Sequence, residues 1–339
     1  MKVATVRGFW STNIGNSLFQ LSAKGLLDEV GFETYWVPDS PGFINVKKGN
    51  PKNYFEFLHH LDVDILCIQG PFFRKEFDRI YLDTLKKLSY RGVKIIGLGV
   101  GAMHYDKKSI QYYRHWSQQI NFSFISTRDC MTYDFLKNEV KNLHNGIDLG
   151  FFIRYFAPQP TLINNEKLIC FNFDQIPEIK LIKSTKGVIE INKEKYTFKK
   201  FYSGEPKGII KKALPYILPY FKRYSVDSLN EYKIIRIDHR FNPYSRKKIY
   251  NNPNSFALDT PDGYLLAYAN SELTLSNRVH ANVATLSYGN RSMYFSNSKR
   301  ASLIDRVKLQ EVYNKPVFLN LDMLEEEKAS LKEALKNLI

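Results

Sequence analysis

An arginine and a histidine two residues apart, Arg278 and His280, are the pair in this chain best placed to do chemistry. They lie in the stretch ELTLSNRVHANVATLSYGNR, residues 272–291. The apolar run Leu273, Thr274, Leu275 reads as a buried strand. The polar pair Ser276-Asn277 interrupts it and offers a helix cap in either residue. Val279, Val283 and Leu286 then continue at helical spacing until Gly289 stops the helix. Arg278 and His280 thus fall on the first turn of a helix that follows a strand. Open α/β sheets bind ligands at such turns, because free backbone N–H groups and the helix dipole favour anions there. A guanidinium presents a fixed fork of donors to phosphate or carboxylate, and an imidazole carries a proton near neutral pH. The same residue types also serve as a surface arginine and a capping histidine, and an Arg-x-His motif taken alone leaves both roles open.

The elements that would position such a pair can be read along the chain. At 339 residues it is long for one core and comfortable for two domains. Hydrophobic content of 44% with 24% charged residues is that of a globular protein. Cys67, Cys130 and Cys170 are far apart and odd in number, which predicts buried thiols in a reducing compartment rather than a disulfide or a metal site. The N-terminal MKVATVRGFW is patterned as a strand, not as a signal peptide, and no apolar run reaches membrane-spanning length, so a cytoplasmic location is expected. A net charge of +15 points to an acidic partner. No zinc-finger, ribonucleoprotein or helix-turn-helix pattern accompanies it, so nucleic acid is not expected, and anionic small molecules or a membrane surface remain.

KVATVR (2–7) predicts the first strand, followed by a loop and a helix carrying Leu18, Leu21, Leu26 and Leu27. In the loop, Asn13-Ile14-Gly15-Asn16 has Gly15 for close backbone approach and Asn13 and Asn16 as hydrogen-bonding side chains; an ordinary capped βα turn would have the same composition. Strands follow at 34–38, 62–70 and 93–102, with helices near 52–61 and 76–91. Asp62-x-Asp64 precedes its strand, opposite the ligand edge, and reads as a solvated turn. Gly70, Gly99 and Gly101, at strand exits, leave room either for a ligand or for close packing. Helical spacing recurs at 109–120. FSFISTRDC (122–130) gives a strand ending in Arg128-Asp129, which either faces a ligand or ties the loop down. A boundary is expected near 154–166, where RYFAPQPTLINNE carries two prolines and loses periodicity.

KLICFNF (167–173) opens a second sheet, 186–200 alternates like a hairpin, and YKIIRIDHR (232–240) is a strand that brings His239 and Arg240 towards its exit. Between them GIIKKALPYILPYFKRY (208–224) mixes Ile217, Leu218 and Phe221 with Lys211, Lys212, Lys222 and Arg223. It reads either as a membrane-surface segment or as a core helix with a basic face, and flotation with anionic vesicles at low and high salt separates the two.

The run from Asp262 to Asp305 resembles the C-terminal signature of the polysaccharide pyruvyl transferase family, with GYLLAYANSE (263–272), SNRVHA (276–281), Ala284, Gly289, SMYFS (292–296), Lys299 and SLIDRV (302–307). Asn13-Ile14-Gly15-Asn16 stands where the family usually has Asn-x-Gly-Asp, and Gly70-Pro71 where it often has two glycines. The strand-Arg128-Asp129-helix element and NGIDLGFF (145–152), with its Asp148, are similar to the family's as well. The resemblance covers most of the chain except roughly 175–235.

The architecture it implies is α/β, GT-B-like: two Rossmann-like domains facing across a cleft, each a parallel sheet flanked by helices. The domains are expected over 1–155 and 166–310, with a divergent basic insertion at about 175–235 and a C-terminal helix over 320–339. The activity it implies is transfer of a pyruvate ketal from phosphoenolpyruvate to a sugar of a bacterial surface polysaccharide or its lipid-linked precursor. Arg278 would hold phosphate or carboxylate, His280 would be proton donor or phosphate ligand, and Lys299 would add charge. Asn13, Gly15, Asn16, Gly70, Gly99, Gly101, Arg128, His239, Ser276 and Asn277 would line the site. The chemistry requires no metal or organic cofactor. A nucleotide-sugar glycosyltransferase of the same architecture, or a catalytically silent glycan-assembly protein, are the alternatives.

Overall fold

A computed structural model describes residues 1–6, 14–37, 57–75, 78–163, 166–173, 178–199, 227–239, 254–258, 260–296 and 302–338. Asn13, Arg240, Lys299 and the 208–224 segment lie outside the described residues. In chain order the first half holds β1 (Lys2–Val6), α1 (Ile14–Val30), β2 (Glu33–Val37), β3 (Ile65–Phe73), α2 (Asp83–Tyr90), β4 (Lys94–Ala102), α3 (Lys107–Ser117), β5 (Phe122–Thr127), α4 (Cys130–Leu136), β6 (Leu143–His144) and α5 (Ile153–Phe156). Six strands form one sheet in the order β2-β1-β3-β4-β5-β6, and every pairing is parallel. β3 and β4 are central because they are apolar on both faces, as strands covered by helices on either side must be. Chain order reverses between β1 and β3, so the crevice beyond the carboxyl ends there is the natural ligand edge.

The second half adds β7 (Lys167–Asn172), β8 (Lys180–Lys183), β9 (Ile189–Ile191), β10 (Glu194–Lys199), β11 (Ser228–Leu229), β12 (Tyr232–Ile237), β13 (Ser255–Phe256), α6 (Asp262–Asn270), β14 (Ser271–Ser276), α7 (Val279–Ser287), β15 (Arg291–Tyr294), α8 (Ser302–Arg306) and α9 (Leu321–Lys336). β12, β7, β14 and β15 run parallel in the order β11-β12-β7-β14-β15, again reversing beside β7. The hairpin expected over 186–200 is β9–β10. Its turn residues Asn192 and Lys193 both have positive φ, 48° and 62°, as a two-residue hairpin turn demands.

The two sheets share a core. Phe19, Ala23, Leu26 and Leu27 of α1 pack with Val283 and Leu286 of α7 and with Leu324, Leu331 and Leu335 of α9. On another face of α1, Ile14 and Leu18 meet Tyr264, Leu265, Ala281 and Ala284 from α6 and α7. The C-terminal helix expected over 320–339 thus docks on α1, and Lys328 and Lys332 both bind Glu29 there, at 2.9 and 2.8 Å. α1, buried nearly all round, is the piece that brings the two sheets' ligand edges together.

Two expectations need correction. Cys130 is exposed, not buried, because it opens α4 at the surface; Cys67 and Cys170, inside β3 and β7, are buried. The helix after β14 is capped neither by Ser276 nor by Asn277: the N-cap position is Arg278, one residue later, with extended φ/ψ of −104° and 121°. Among the described residues no helix is long and apolar enough to cross a membrane.

Candidate functional site

The turn after β14 is shaped by a polar residue at the end of the neighbouring strand. Asn172, wholly buried at the exit of β7, accepts the Ser276 hydroxyl on Oδ1 at 2.9 Å and the Asn277 N–H on its backbone carbonyl at 3.1 Å. Its Nδ2 donates to the Ile237 carbonyl of β12. One amide therefore laces three adjacent strand ends together. The Ser276 oxygen in turn accepts the Arg278 N–H at 2.8 Å, which bends the chain into α7. Ser276 and Asn277 are buried and form this turn, and the Ser276 hydroxyl positions the Arg278 backbone. Asn282 closes the first turn by donating Nδ2 to the Arg278 carbonyl at 2.8 Å.

His280, the second residue of α7, reaches across to the first half. Its Nε2 lies 3.5 Å from Oδ2 of Asp148, a carboxylate with no solvent exposure. Asp148 precedes a 3-10 turn over Leu149–Phe152 and caps it, Oδ1 accepting the Gly150 N–H at 2.9 Å. Arg128 Nη1 stands 3.6 Å from the same Oδ2, and Arg128 Nε is 3.7 Å from Asp129 Oδ2. Asp129 caps α4 through Thr132 N–H at 2.8 Å and accepts the Tyr105 hydroxyl at 2.7 Å. Burial pushes the Asp148 carboxyl up, but the nearby His280 imidazole, then the Arg128 guanidinium and the Gly150 N–H, outweigh it and hold the group below the usual carboxylate range. Arg128 likewise stays a cation: burial works against its charge, and Tyr105, Asp148 and Asp129 more than restore it. The result is a row, buried Asp129–Arg128–Asp148 ending on half-buried His280, running from β5 to α7.

Gly15, on the first turn of α1, forms the opposite wall. A β-carbon there would lie 2.3 Å from His280 Nδ1 and 2.6 Å from Cε1, so only glycine lets this helix approach the ring. Phe19, one turn on, sets its ring edge-on to the imidazole with centroids 6.4 Å apart. The N-termini of α1 and α7 thus converge at His280. Both direct partial positive charge to a place where Arg278 adds a full one, an arrangement suited to a small polyanion. Asn16, half-buried, sits on the same first turn of α1.

His239, just past β12, is buried and bonds the Tyr268 hydroxyl through Nε2 at 2.6 Å, with the Tyr264 ring edge-on at 5.5 Å. Burial drives its pKa well below the ordinary value, and the positive charges of Arg278 and His280 add to the effect. It is a neutral imidazole at pH 7, unsuited to delivering a proton. A consequence for stability follows. Below about pH 6.5 the unfolded chain binds a proton that buried His239 refuses, so stability should fall between roughly pH 7 and 5, by up to about 1.4 kcal/mol per unit. Melting temperatures across that range should drop less steeply for His239→Gln than for the wild type; equal slopes would refute the assignment.

The other predicted positions are occupied by packing. A β-carbon on Gly101 would meet Arg128 Nε at 2.2 Å, on Gly99 Leu149 Cγ at 2.7 Å, and on Gly70 Phe19 Cζ at 2.5 Å. These glycines make room for neighbouring side chains, and at Gly70 and Gly99 a positive φ of 68° and 57° is a second reason for glycine. Arg128, 3% exposed, is held between the carboxylates of Asp129 and Asp148. Asp62 and Asp64 bind Lys2 at the far end of β1, in keeping with a solvated turn. Asn172, Asp148 and Tyr268 were not among the predicted site residues. The signal for Asp148 was its place between Ile147 and Leu149, since a carboxylate in an apolar run must find a partner once buried. Among the described residues no group of three or more His, Cys, Asp or Glu side chains could hold a metal ion.

The family model "Polysaccharide pyruvyl transferase" matches residues 13–299. A comparison with curated proteins returned no match. Among solved structures, UDP-GlcNAc 2-epimerase from Neisseria meningitidis bound to UDP-GlcNAc is similar at a TM-score of 0.52 and 12% identity, covering 99% of this chain and 99% of that one. MnaA from S. aureus, a co-structure with UDP, is similar at 0.51 and 10% identity, covering 98% and 91%. At such identities the likeness concerns the fold: parallel sheets flanked by helices, in the GT-B arrangement.

Proposed function

We propose that this chain, which belongs to the polysaccharide pyruvyl transferase family, transfers a pyruvate ketal from phosphoenolpyruvate to two hydroxyls of a sugar in a surface polysaccharide or its lipid-linked precursor. The supporting observation is the meeting of His280 and buried Asp148 where the N-termini of α1 and α7 converge beside Arg278. Phosphoenolpyruvate carries about three negative charges, and the two helix ends and the guanidinium answer them. One sugar oxygen attacks C2 as the methylene carbon takes a proton and becomes methyl. The C2–O bond to phosphate breaks, and the second sugar oxygen closes the ketal. Of the two hydroxyl protons, one balances that taken up by the methyl and the other leaves with phosphate. His280, set 3.5 Å from the Asp148 carboxylate, is the group suited to deliver the methyl proton.

The test is release of inorganic phosphate from phosphoenolpyruvate in the presence of a glycan acceptor. Arg278→Ala should weaken donor binding by about 2–5 kcal/mol, the range for losing one partner of a charge-assisted contact. No phosphate release by the wild type with any acceptor would overturn the proposal. Release of a nucleoside diphosphate from a nucleotide sugar would favour the glycosyltransferase alternative instead.

A further inference from the structure

We propose that Asp148 is the positioning residue of this site: it fixes which nitrogen of His280 carries the proton, and so links the catalytic imidazole of the second sheet to the buried charges of the first. The inference deepens the function proposed above and rests on it for the identity of the reaction. Four observations carry it. Asp148 Oδ2 faces His280 Nε2 at 3.5 Å, and both atoms are buried with no hydrogen-bond partner among the described residues. The carboxylate cannot turn away, because its other oxygen is committed to the Gly150 N–H at 2.9 Å. Gly150 is itself wedged, since a β-carbon there would strike Asp148 Oδ1 at 2.9 Å and Val283 at 3.0 Å, which seats the turn directly on α7. On its far side Arg128 Nη1, at 3.6 Å, holds the carboxylate ionised, and Asp129 with Tyr105 fixes Arg128. A charged acceptor opposite Nε2 places the proton on Nε2 in the neutral ring. Nδ1, against Gly15 at the start of α1, is then the nitrogen that gains and loses the transferred proton.

Other features of the molecule do not require this role. A carboxylate needed only to neutralise Arg128 would not have to face His280, since Asp129 is already beside that guanidinium. Among the described residues, the groups set against His280 are Asp148 ahead of the 3-10 turn, Gly15 and Phe19 on α1, and neutral His239 on the second sheet, which also lies in the field of Arg278.

The experiment combines ¹⁵N NMR of the histidine rings, with His280 assigned by loss of its signal in His280→Gln, and steady-state phosphate release. In the wild type, free of substrate, the neutral ring of His280 should show the proton on Nε2. Asp148→Asn, which offers an amide N–H to the ring, should move it to Nδ1 and lower kcat by about a hundredfold or more with little change in KM for phosphoenolpyruvate. The double variant Asp148→Asn/His280→Gln should be no slower than His280→Gln alone, because the two act as one unit. A wild-type proton on Nδ1 overturns the proposal, whether or not Asp148→Asn folds. So do additive losses in the double variant, the mark of a merely structural carboxylate. If wild type releases no phosphate while the proton moves as stated, the function assigned above fails and the positioning role stands.

Discussion

Replacing His280 with alanine should cut phosphoenolpyruvate-dependent phosphate release by about a hundredfold or more in kcat, the usual consequence of losing a positioned general acid. The fold should survive. Without the imidazole, Asp148 keeps Arg128 at 3.6 Å and the Gly150 N–H at 2.9 Å, so no buried charge is stranded. Donor binding should suffer less, because on the proposed reading Arg278 and two helix ends would still face the donor's charge. Steady-state kinetics with both variants separates the possible roles of the pair. A rise in KM with unchanged kcat in His280→Ala would make the histidine a phosphate ligand and not the proton donor. Turnover equal to wild type would remove it from the site.

Much of this arrangement could be read from residue order. β14, the polar break and α7 follow from an apolar run, two small polar residues and apolar spacing of four and three. β3 and β4 announce themselves as central strands by unbroken apolar runs. Local pattern could not give the contacts made across the two sheets. Gly15 resembles any βα-turn glycine until His280, 265 residues later in chain order, is found against it. The same holds for Gly101, whose reason for being glycine is Arg128, one strand over. Ser276 and Asn277 have the composition of helix caps, yet Asn172 on a neighbouring strand takes both, and the cap passes to Arg278. Arg128-Asp129 was legible as a strand end, and its tying-down reading is the one the buried ion pairs support. Chemistry-bearing residue types were visible one by one; the pairing that makes a site is a property of the packing of α1 on α7.

Gly15→Ala tests that packing most directly, and it should behave against helix propensity. In an ordinary helix the change is stabilising by about 0.4–1 kcal/mol, since alanine loses less backbone entropy on folding. Gly15 has no positive φ to forbid alanine. The added methyl, however, would lie 2.3 to 2.7 Å from three atoms of the His280 ring. The ring has no room to retreat, with Asp148 facing Nε2 and Phe19 beside it, so it must swing off its carboxylate or force the helices apart. Overpacking of this kind costs about 1–3 kcal/mol, which should cancel the propensity gain and leave a folded protein of similar or slightly lower melting temperature. Turnover should approach that of His280→Ala. Gly25→Ala, on the same helix but away from the site, provides the contrast: its methyl would meet Phe156 at 2.0 Å, so it should lower the melting temperature without changing kcat per folded molecule. Wild-type turnover in Gly15→Ala would show that α1 does not hold the imidazole, and His280 would lose the wall that aims it at the donor.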